Sequence, residues 1–295
     1  MKDMNTDILK QLNEITDHDD KNAGALPDRM DIIDALKEIQ VVMLPDYFHF
    51  HGLSVEDALN QAVETLHKAI DTVYAYHKTK ADTDKIITSF VESMPDIKKL
   101  MMTDIQAIYD GDPAAKSKAE VILCYPGFYA IMIYRIAHVL YELKVPYIPR
   151  VMSEYAHGKT GIDINPGAKI GTYFCIDHGT GIVVGETAVI GDHVKLYQGV
   201  TIGAKSFELD ENGFPVKGGK RHPNIGNNVI VYSNATILGG DTYIGDNCII
   251  GGSVWLTHSV EEGRTVYNTK NEQCKAFFNG LGTHRKDEKD KIETN

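Results

Sequence analysis

The sequence predicts an α+β protein: an N-terminal all-α domain followed by a parallel β-helix of hexapeptide repeats, interrupted by an extruded loop. Three observations carry this. Between Ile164 and Trp255, apolar residues recur every six positions, at Ile164, Ile170, Ile176, Ile182, Ala188, Val194 and Val200, and again at Ile225, Val231, Ile237, Tyr243, Ile249 and Trp255. A helix period of 3.6 or a strand period of 2 does not give a strict six, whereas a triangular coil does, each hexad forming one flat side with its aliphatic residue toward the axis. Upstream of this region the apolar residues keep i, i+3, i+4 spacing instead. Between the two repeat blocks, residues 203–221 lose the beat and carry Gly, Lys, acids and a Pro. Solenoids place such insertions on one face, often the binding face.

Taken in order, residues 1–25 are polar and mixed in charge and are expected to be a flexible N-terminal segment. Residues 26–150 read as the helical domain. Ser54 before Val55-Glu56-Asp57 resembles a helix N-cap with an acid at N3. Ala58, Leu59, Ala62, Val63, Leu66, Ile70 and Val73 then form one apolar stripe. A helix is expected from Asp84 to Ser93, stopped by Pro95, and another from Asp96 to Tyr109, ended by Asp110-Gly111-Asp112-Pro113. Gly127 to Leu143 is apolar almost all round and reads as a buried helix. Pro146 and Pro149 are expected to close the helical half. Residues 151–265 form the β-helix domain, and 266–295 a C-terminal tail whose charged end, from Leu281 onward, is expected to be solvated or disordered.

Composition bounds the function. A chain of 295 residues with mean hydropathy −0.23 fits a globular domain plus a solenoid. A net charge of −11 argues against nucleic acid or an anionic membrane as a partner. No run reaches the roughly 18 apolar residues of a membrane span, and no signal peptide is evident. Cys124, Cys175, Cys248 and Cys274 lack CxxC spacing and read as reduced thiols, so a cytoplasmic location is expected.

Chemistry is expected where a hexad breaks its own rule. In Ile176-Asp177-His178-Gly179-Thr180-Gly181, an acid and an imidazole replace small corner residues. Lys220-Arg221-His222-Pro223 stands at the exit of the loop. Asp163 lies fifteen residues before His178, close enough to a coil of eighteen for the two to approach on adjacent coils. An acid bonded to a histidine fixes its tautomer and raises its basicity, as a general base requires. Against this stand plainer readings. A lone histidine in a solenoid, such as His157, His193 or His258, is more often a surface or interface residue, and Arg221-His222 can simply anchor the loop base.

Asp177-His178-Gly179-Thr180-Gly181-Ile182-Val183-Val184-Gly185-Glu186-Thr187, Gly161-Ile162-Asp163-Ile164 and Arg221-His222-Pro223 resemble serine O-acetyltransferases, members of the hexapeptide-repeat acyltransferase superfamily. Asp112-Pro113-Ala114, Gly127-Phe128 and Tyr134-Arg135-Ile136-Ala137-His138 are similar to the end of that family's helical domain, so the resemblance runs over about residues 104–260, with little match before residue 80. It implies a left-handed β-helix and transfer of acetyl from acetyl-CoA to the hydroxyl of L-serine, for cysteine biosynthesis. It implies that His178 is the base, oriented by Asp163, and that His222 completes the site. Asp112, Asp177 and Arg221 are implied to hold the ammonium and carboxylate of serine, and Gly203, Ala204, Ser233, Gly251 and Gly252 to line the CoA groove. Lys217 or Lys220 is a candidate for a CoA phosphate. No metal is expected. A homotrimer is implied, with the helical domains joining two trimers into a hexamer.

The chain departs from the family pattern in a longer 203–221 loop, in Lys220 before Arg-His-Pro and in Ser233 where Ala is usual. Relatives that dock into cysteine synthase end in Ile. This chain ends in Asn295, so that complex is not expected. Three other readings remain open: a hexapeptide acetyltransferase for homoserine, a sugar or an antibiotic; a zinc lyase of the γ-carbonic anhydrase type using His178, His193 and His222; and a non-catalytic trimerising scaffold.

Overall fold

The computed structural model describes residues 2–15, 26–206, 209–268 and 291–294. Its helices are α1 (Lys2–Ile15), α2 (Arg29–Met43), α3 (Val55–Tyr76), α4 (Thr83–Gly111), α5 (Lys118–Cys124), α6 (Pro126–Glu142) and α7 (Ile148–Thr160). Residues 2–15 thus hold a helix where a flexible segment was expected, with Ile8, Leu9 and Leu12 exposed. Residues 16–25 lie outside the described residues. The Ser54 cap is formed: its hydroxyl accepts from the Asp57 amide at 3.1 Å, and Ala58, Ala62, Leu66, Ile70 and Val73 are buried behind it.

Two proline expectations fail, each for its own physical reason. Pro95 does not stop a helix but sits inside the single helix α4. Ile87, Phe90, Met94, Ile97, Met101, Ile105 and Ile108 share one buried face across it. Burying that continuous stripe outweighs the hydrogen bond that proline removes. Pro149 does not close the helical half either. It occupies the first turn of α7, where a missing N–H costs nothing. Helix therefore continues to Thr160 inside the span assigned to the β-helix. Helix α6 is buried as expected. Among the described residues, no single helix is long and apolar enough to cross a membrane.

The solenoid begins at β1 (Asp163–Ile164), β2 (Lys169–Ile170) and β3 (Cys175–Asp177), one short strand for each of three parallel sheets, A, B and C. The second coil is β4 (Val183–Val184), β5 (Val189–Ile190) and β6 (Lys195–Tyr197), and the third is β7 (Thr201–Gly203), β8 (Asn224–Ile225) and β9 (Ile230–Val231). The fourth is β10 (Thr236–Leu238), β11 (Tyr243–Ile244) and β12 (Ile249–Ile250). Then follow β13 (Trp255–Leu256) on sheet A, β14 (Thr265–Asn268) on sheet C, and β15 (Lys291–Thr294) paired parallel to β14. Residues 291–294 of the expected tail thus extend sheet C, while 269–290 lie outside the described residues. Between β7 and β8, residues 209–220 are exposed and belong to no sheet.

The coils are unequal, and this corrects part of the six-residue reading. Asp163 pairs with Val183, a coil of 20 residues, and Val183 with Thr201, a coil of 18. Thr236 pairs with Trp255, a coil of 19. The extra residue of that coil lies between β10 and β11. A slip of one residue turns every side chain of a strand to its other face. Tyr243 and Trp255, expected at the axis, are therefore 47% and 65% exposed, and Ile244, Ile250 and Leu256 fill the core instead.

One buried ion pair joins the two halves. Arg135 of α6 donates to both carboxylate oxygens of Asp104 of α4, at 3.0 and 3.1 Å. Its other bonds reach the carbonyls of Ile170 and Gly171, while Asp104 accepts from the Phe174 amide at 2.9 Å. Tyr134 adds a bond to the Ala168 carbonyl at 2.6 Å. Gly127 allows α6 to lie directly on β3, since a Cβ there would stand 2.6 Å from the Ile176 carbonyl oxygen. Removing one partner of a buried pair leaves an uncompensated charge, so Arg135→Met is expected to cost about 3–5 kcal/mol, read as a lower urea midpoint.

Candidate active site

Two of the three corners of the coil carry the chemistry. The corner between sheets C and A holds His178. The two extra residues of the 20-residue coil fall here, because β3 to β4 takes eight residues where β2 to β3 takes six. His178 and Gly179 both have positive φ, 58° and 94°. The bulge carries the imidazole outward, leaving it 74% exposed. Its Nε2 lies 3.6 Å from Oδ1 of Asp177.

The helical half delivers a second acid to the same corner. Helix α4 ends at Gly111, and Asp112 is its C-cap residue. Asp112 accepts from the Tyr125 hydroxyl at 2.6 Å and from the Ala114 amide at 2.8 Å, and these bonds hold its carboxyl below the usual range. Lys195 of β6 binds Oδ2 of Asp177 and the Gly111 carbonyl, both at 2.8 Å. Above this cluster the same corner carries Ser233, then Gly251 and Gly252. Ser253 donates to the Ser233 carbonyl at 2.9 Å, which places the Gly252 turn directly over Ser233.

The corner between sheets A and B holds Arg221 and His222. The ring of His222 lies against Gly185, where a Cβ would stand 2.0 Å from it. Its Nδ1 takes bonds from the amide and hydroxyl of Thr187, at 3.0 and 2.9 Å. The ring is buried, and burial, with the Arg221 and Lys220 charges, pushes its pKa down to about 4. Arg221 pairs with Glu186, which also accepts from the Tyr141 hydroxyl at 2.8 Å. The Arg221 pair is the main reason that Glu186 is held below its usual value. Lys220 is engaged with the Thr187 carbonyl and, at 2.8 Å, with Asn224, rather than free for a phosphate. Gly203 and Ala204 continue this corner one coil on, beside a cleft of about 480 Å³ lined in part by Lys205, Lys220, Arg221 and Gly240.

The structure therefore divides the expected site residues into two groups. Asp112, Asp177, His178, Ser233, Gly251 and Gly252 share one corner, and Arg221, His222, Gly203 and Ala204 the next, with sheet A between them. Asp163 stands at the start of sheet A, on the His178 side, but its carboxylate faces Arg150 at 4.0 Å. No bond joins it to His178 within the chain. The bulged corner accounts for this, since the fifteen-residue offset assumed a coil of eighteen. Asp163, Glu154 and His157 bring ligand atoms within 4.8 Å of one another, and Arg150 pairs with both acids. His193 lies on the third corner, 4.4 Å from Tyr173 ring to ring. The three histidines considered for zinc thus occupy three separate corners. Sequence reasoning missed Lys195, Tyr125 and Tyr141. A lysine facing outward from a strand and tyrosines flanking or within a helix carry no signal of their own, and only the docking of the helices reveals them.

A family model described as serine acetyltransferase, N-terminal, matches residues 56–132, reaching further back than the sequence motifs did. The protein named serine acetyltransferase, plasmid, of Synechococcus elongatus is 42% identical over 260 residues, covering 82% of this chain and 81% of its own. Serine acetyltransferase 1 of Entamoeba histolytica, solved in complex with L-cysteine, superposes with a TM-score of 0.72 at 37% identity, over 79% of this chain and 86% of that one. A serine acetyltransferase in complex with CoA superposes with a TM-score of 0.54 at 28% identity, over 70% and 93%.

The His222 geometry makes a pH prediction. Its folded pKa is depressed, so the unfolded chain binds the extra proton between about 4 and the ordinary 6.5. Its contribution to stability is complete above pH 6.5 and declines as pH falls toward 4. Urea midpoints measured across this window are expected to fall more steeply in the wild type than in His222→Gln.

Proposed function

The chain belongs to the serine acetyltransferase family, and on that basis we propose that its active site forms between two copies, the His178 corner of one meeting the Arg221–His222 corner of the next. The enzyme transfers the acetyl group of acetyl-CoA to the hydroxyl of L-serine, giving O-acetyl-L-serine and CoA, in cysteine biosynthesis. The observation that carries the inter-copy reading is the division of site residues between adjacent corners of the solenoid. Both halves of the serine subsite, and both halves of the expected CoA groove, are split in the same way. A homotrimer about an axis parallel to the coils brings each pair of corners together at every interface, and the helical domains offer a route to a dimer of trimers.

In this reading His178 takes the proton of the serine hydroxyl as the oxygen attacks the thioester carbonyl. The tetrahedral intermediate collapses by breaking the C–S bond, and the proton passes to the leaving thiolate. A positioned general base supplies ~10²–10⁴-fold, and holding both substrates on one rigid coil supplies proximity. The exposure of His178 suits a base that meets its substrate on assembly. Asp112 and Asp177 take the serine ammonium. Arg221, already turned toward the corner by Glu186, takes the carboxylate. His222, neutral at working pH because of its depressed pKa, accepts or donates a hydrogen bond without adding charge. Asp163, at the start of sheet A on the His178 side, is the acid assigned to orient this base.

Release of free CoA thiol is expected to depend on L-serine and to vanish in His178→Ala while CoA binding persists. Signal with homoserine or a sugar but not with L-serine would sink the substrate assignment. Mixing inactive His178→Ala and Arg221→Ala chains after unfolding and joint refolding is expected to restore activity, since about one interface in four then joins two intact corners. No recovery would place both corners of a site in one chain.

A further inference from the structure

Lys195 stands at the centre of the His178 corner without a role in the proposed chemistry. Its ammonium sits 2.8 Å from Oδ2 of Asp177, 2.8 Å from the Gly111 carbonyl and 4.5 Å from the centroid of the Tyr197 ring. Its side chain is 15% exposed. Each contact has a distinct consequence. The Gly111 carbonyl belongs to the last turn of α4, where unpaired carbonyls and the helix dipole favour a cation. The next residue is Asp112, so this bond fixes the backbone that carries the first acid. The bond to Oδ2 of Asp177 fixes the second acid and leaves Oδ1 facing His178. Tyr197, in register with Asp177 on sheet C, stacks on Tyr232 at 5.1 Å and walls the ammonium from the far side.

We infer that Lys195 is a positioning residue for the acceptor, holding Asp112 and Asp177 at a fixed separation and neutralising one of them so that the pair presents a single net negative charge to the ammonium of serine. This rests on the proposed reading that both acids bind that ammonium. Without the lysine, Asp177 loses its counter-ion in a corner that also holds Asp112, and uncompensated negative charge there favours a protonated acid. Asp177 also becomes free to turn its second oxygen toward His178. A protonated or turned acid binds an ammonium poorly, although the charge count alone would favour tighter binding. Burial works against the Lys195 ammonium, but the bonds to Asp177 and Tyr197 hold its pKa above the usual lysine value, so the charge is present throughout the working range.

Steady-state kinetics on the full-length enzyme test this, with L-serine and acetyl-CoA varied in turn for wild type, Lys195→Gln and Lys195→Arg. Glutamine keeps a donor for the Gly111 carbonyl and removes the charge, so the fold has its least demanding replacement there. The KM for L-serine is expected to rise about tenfold or more in Lys195→Gln, the magnitude of one charge-assisted hydrogen bond. The KM for acetyl-CoA is expected to stay within about twofold, and arginine to recover most of the loss by restoring a cation. An unchanged KM for L-serine in Lys195→Gln overturns the proposal. So does a parallel loss for both substrates with a lowered melting temperature, since that is the mark of a purely structural lysine. If Lys195→Gln does not fold, Lys195→Met, which keeps the length of the stem and removes the charge, decides by the same split: a raised KM for L-serine alone supports the role, and an unchanged KM for L-serine or a parallel loss for both substrates overturns it. A wild type that releases CoA only with a different acceptor overturns the serine reading itself, an outcome visible before any variant is compared.

Discussion

The structure depends first on the buried pair between Asp104 and Arg135. It is more than a bond between two helices. Arg135 directs its remaining donors to carbonyls of the first coil, and Asp104 accepts from an amide of the same coil, so the pair ties α4 and α6 to the solenoid by three hydrogen bonds. The course of α4 toward the site builds outward from that point. Seven residues beyond Asp104, α4 ends at Gly111, and Asp112 arrives beside Asp177. A small rotation at the joint would move Asp112 more than it would move any core residue. This explains why a costly buried charge pair stands where apolar packing would serve stability as well: ionic geometry fixes direction, which apolar contact does not.

A second constraint is the bookkeeping of coil length. A solenoid built from hexads repeats its environment, and a repeated environment offers no unique place for catalysis. Additions at corners break the repetition without touching the ladder of strands. Two added residues push His178 out, one added residue between β10 and β11 turns Tyr243 and Trp255 outward, and the long segment between β7 and β8 delivers Arg221 and His222 to the corner that Gly185 keeps open. Each addition lies between strands, where the core pays no penalty for it.

The general fold was legible in the sequence because hexads and helical stripes are periodic, and periodicity survives without knowledge of tertiary contacts. The identity of the rule-breaking residues was legible for the same reason, since Asp177-His178 and Arg221-His222 stand out against small residues. What was not legible depended on which competing effect wins in three dimensions. Pro95 reads as a stop, and only the shared buried face of Ile87 through Ile108 shows why the helix continues. Tyr243 and Trp255 fit the beat by count and miss it by phase, because a single inserted residue cannot be located from spacing alone. Lys195 and Tyr125 are unremarked residues until α4 and α6 are set down on the coil.

The far end of the coil has a consequence of a different kind. A stack of parallel strands presents, at each end, a row of unpaired amides and carbonyls that would accept another chain's strand. At the near end, α6 and α7 lie against the first coil. At the far end, β15 returns from the C-terminus to pair with β14, giving sheet C a sixth strand where sheet A has five and sheet B four. Strand β15 thus covers β14 and carries the edge of sheet C one strand outward. A chain shortened before Lys291 would keep its coil and its corners, yet offer β14 as an open edge for strand addition by its neighbours.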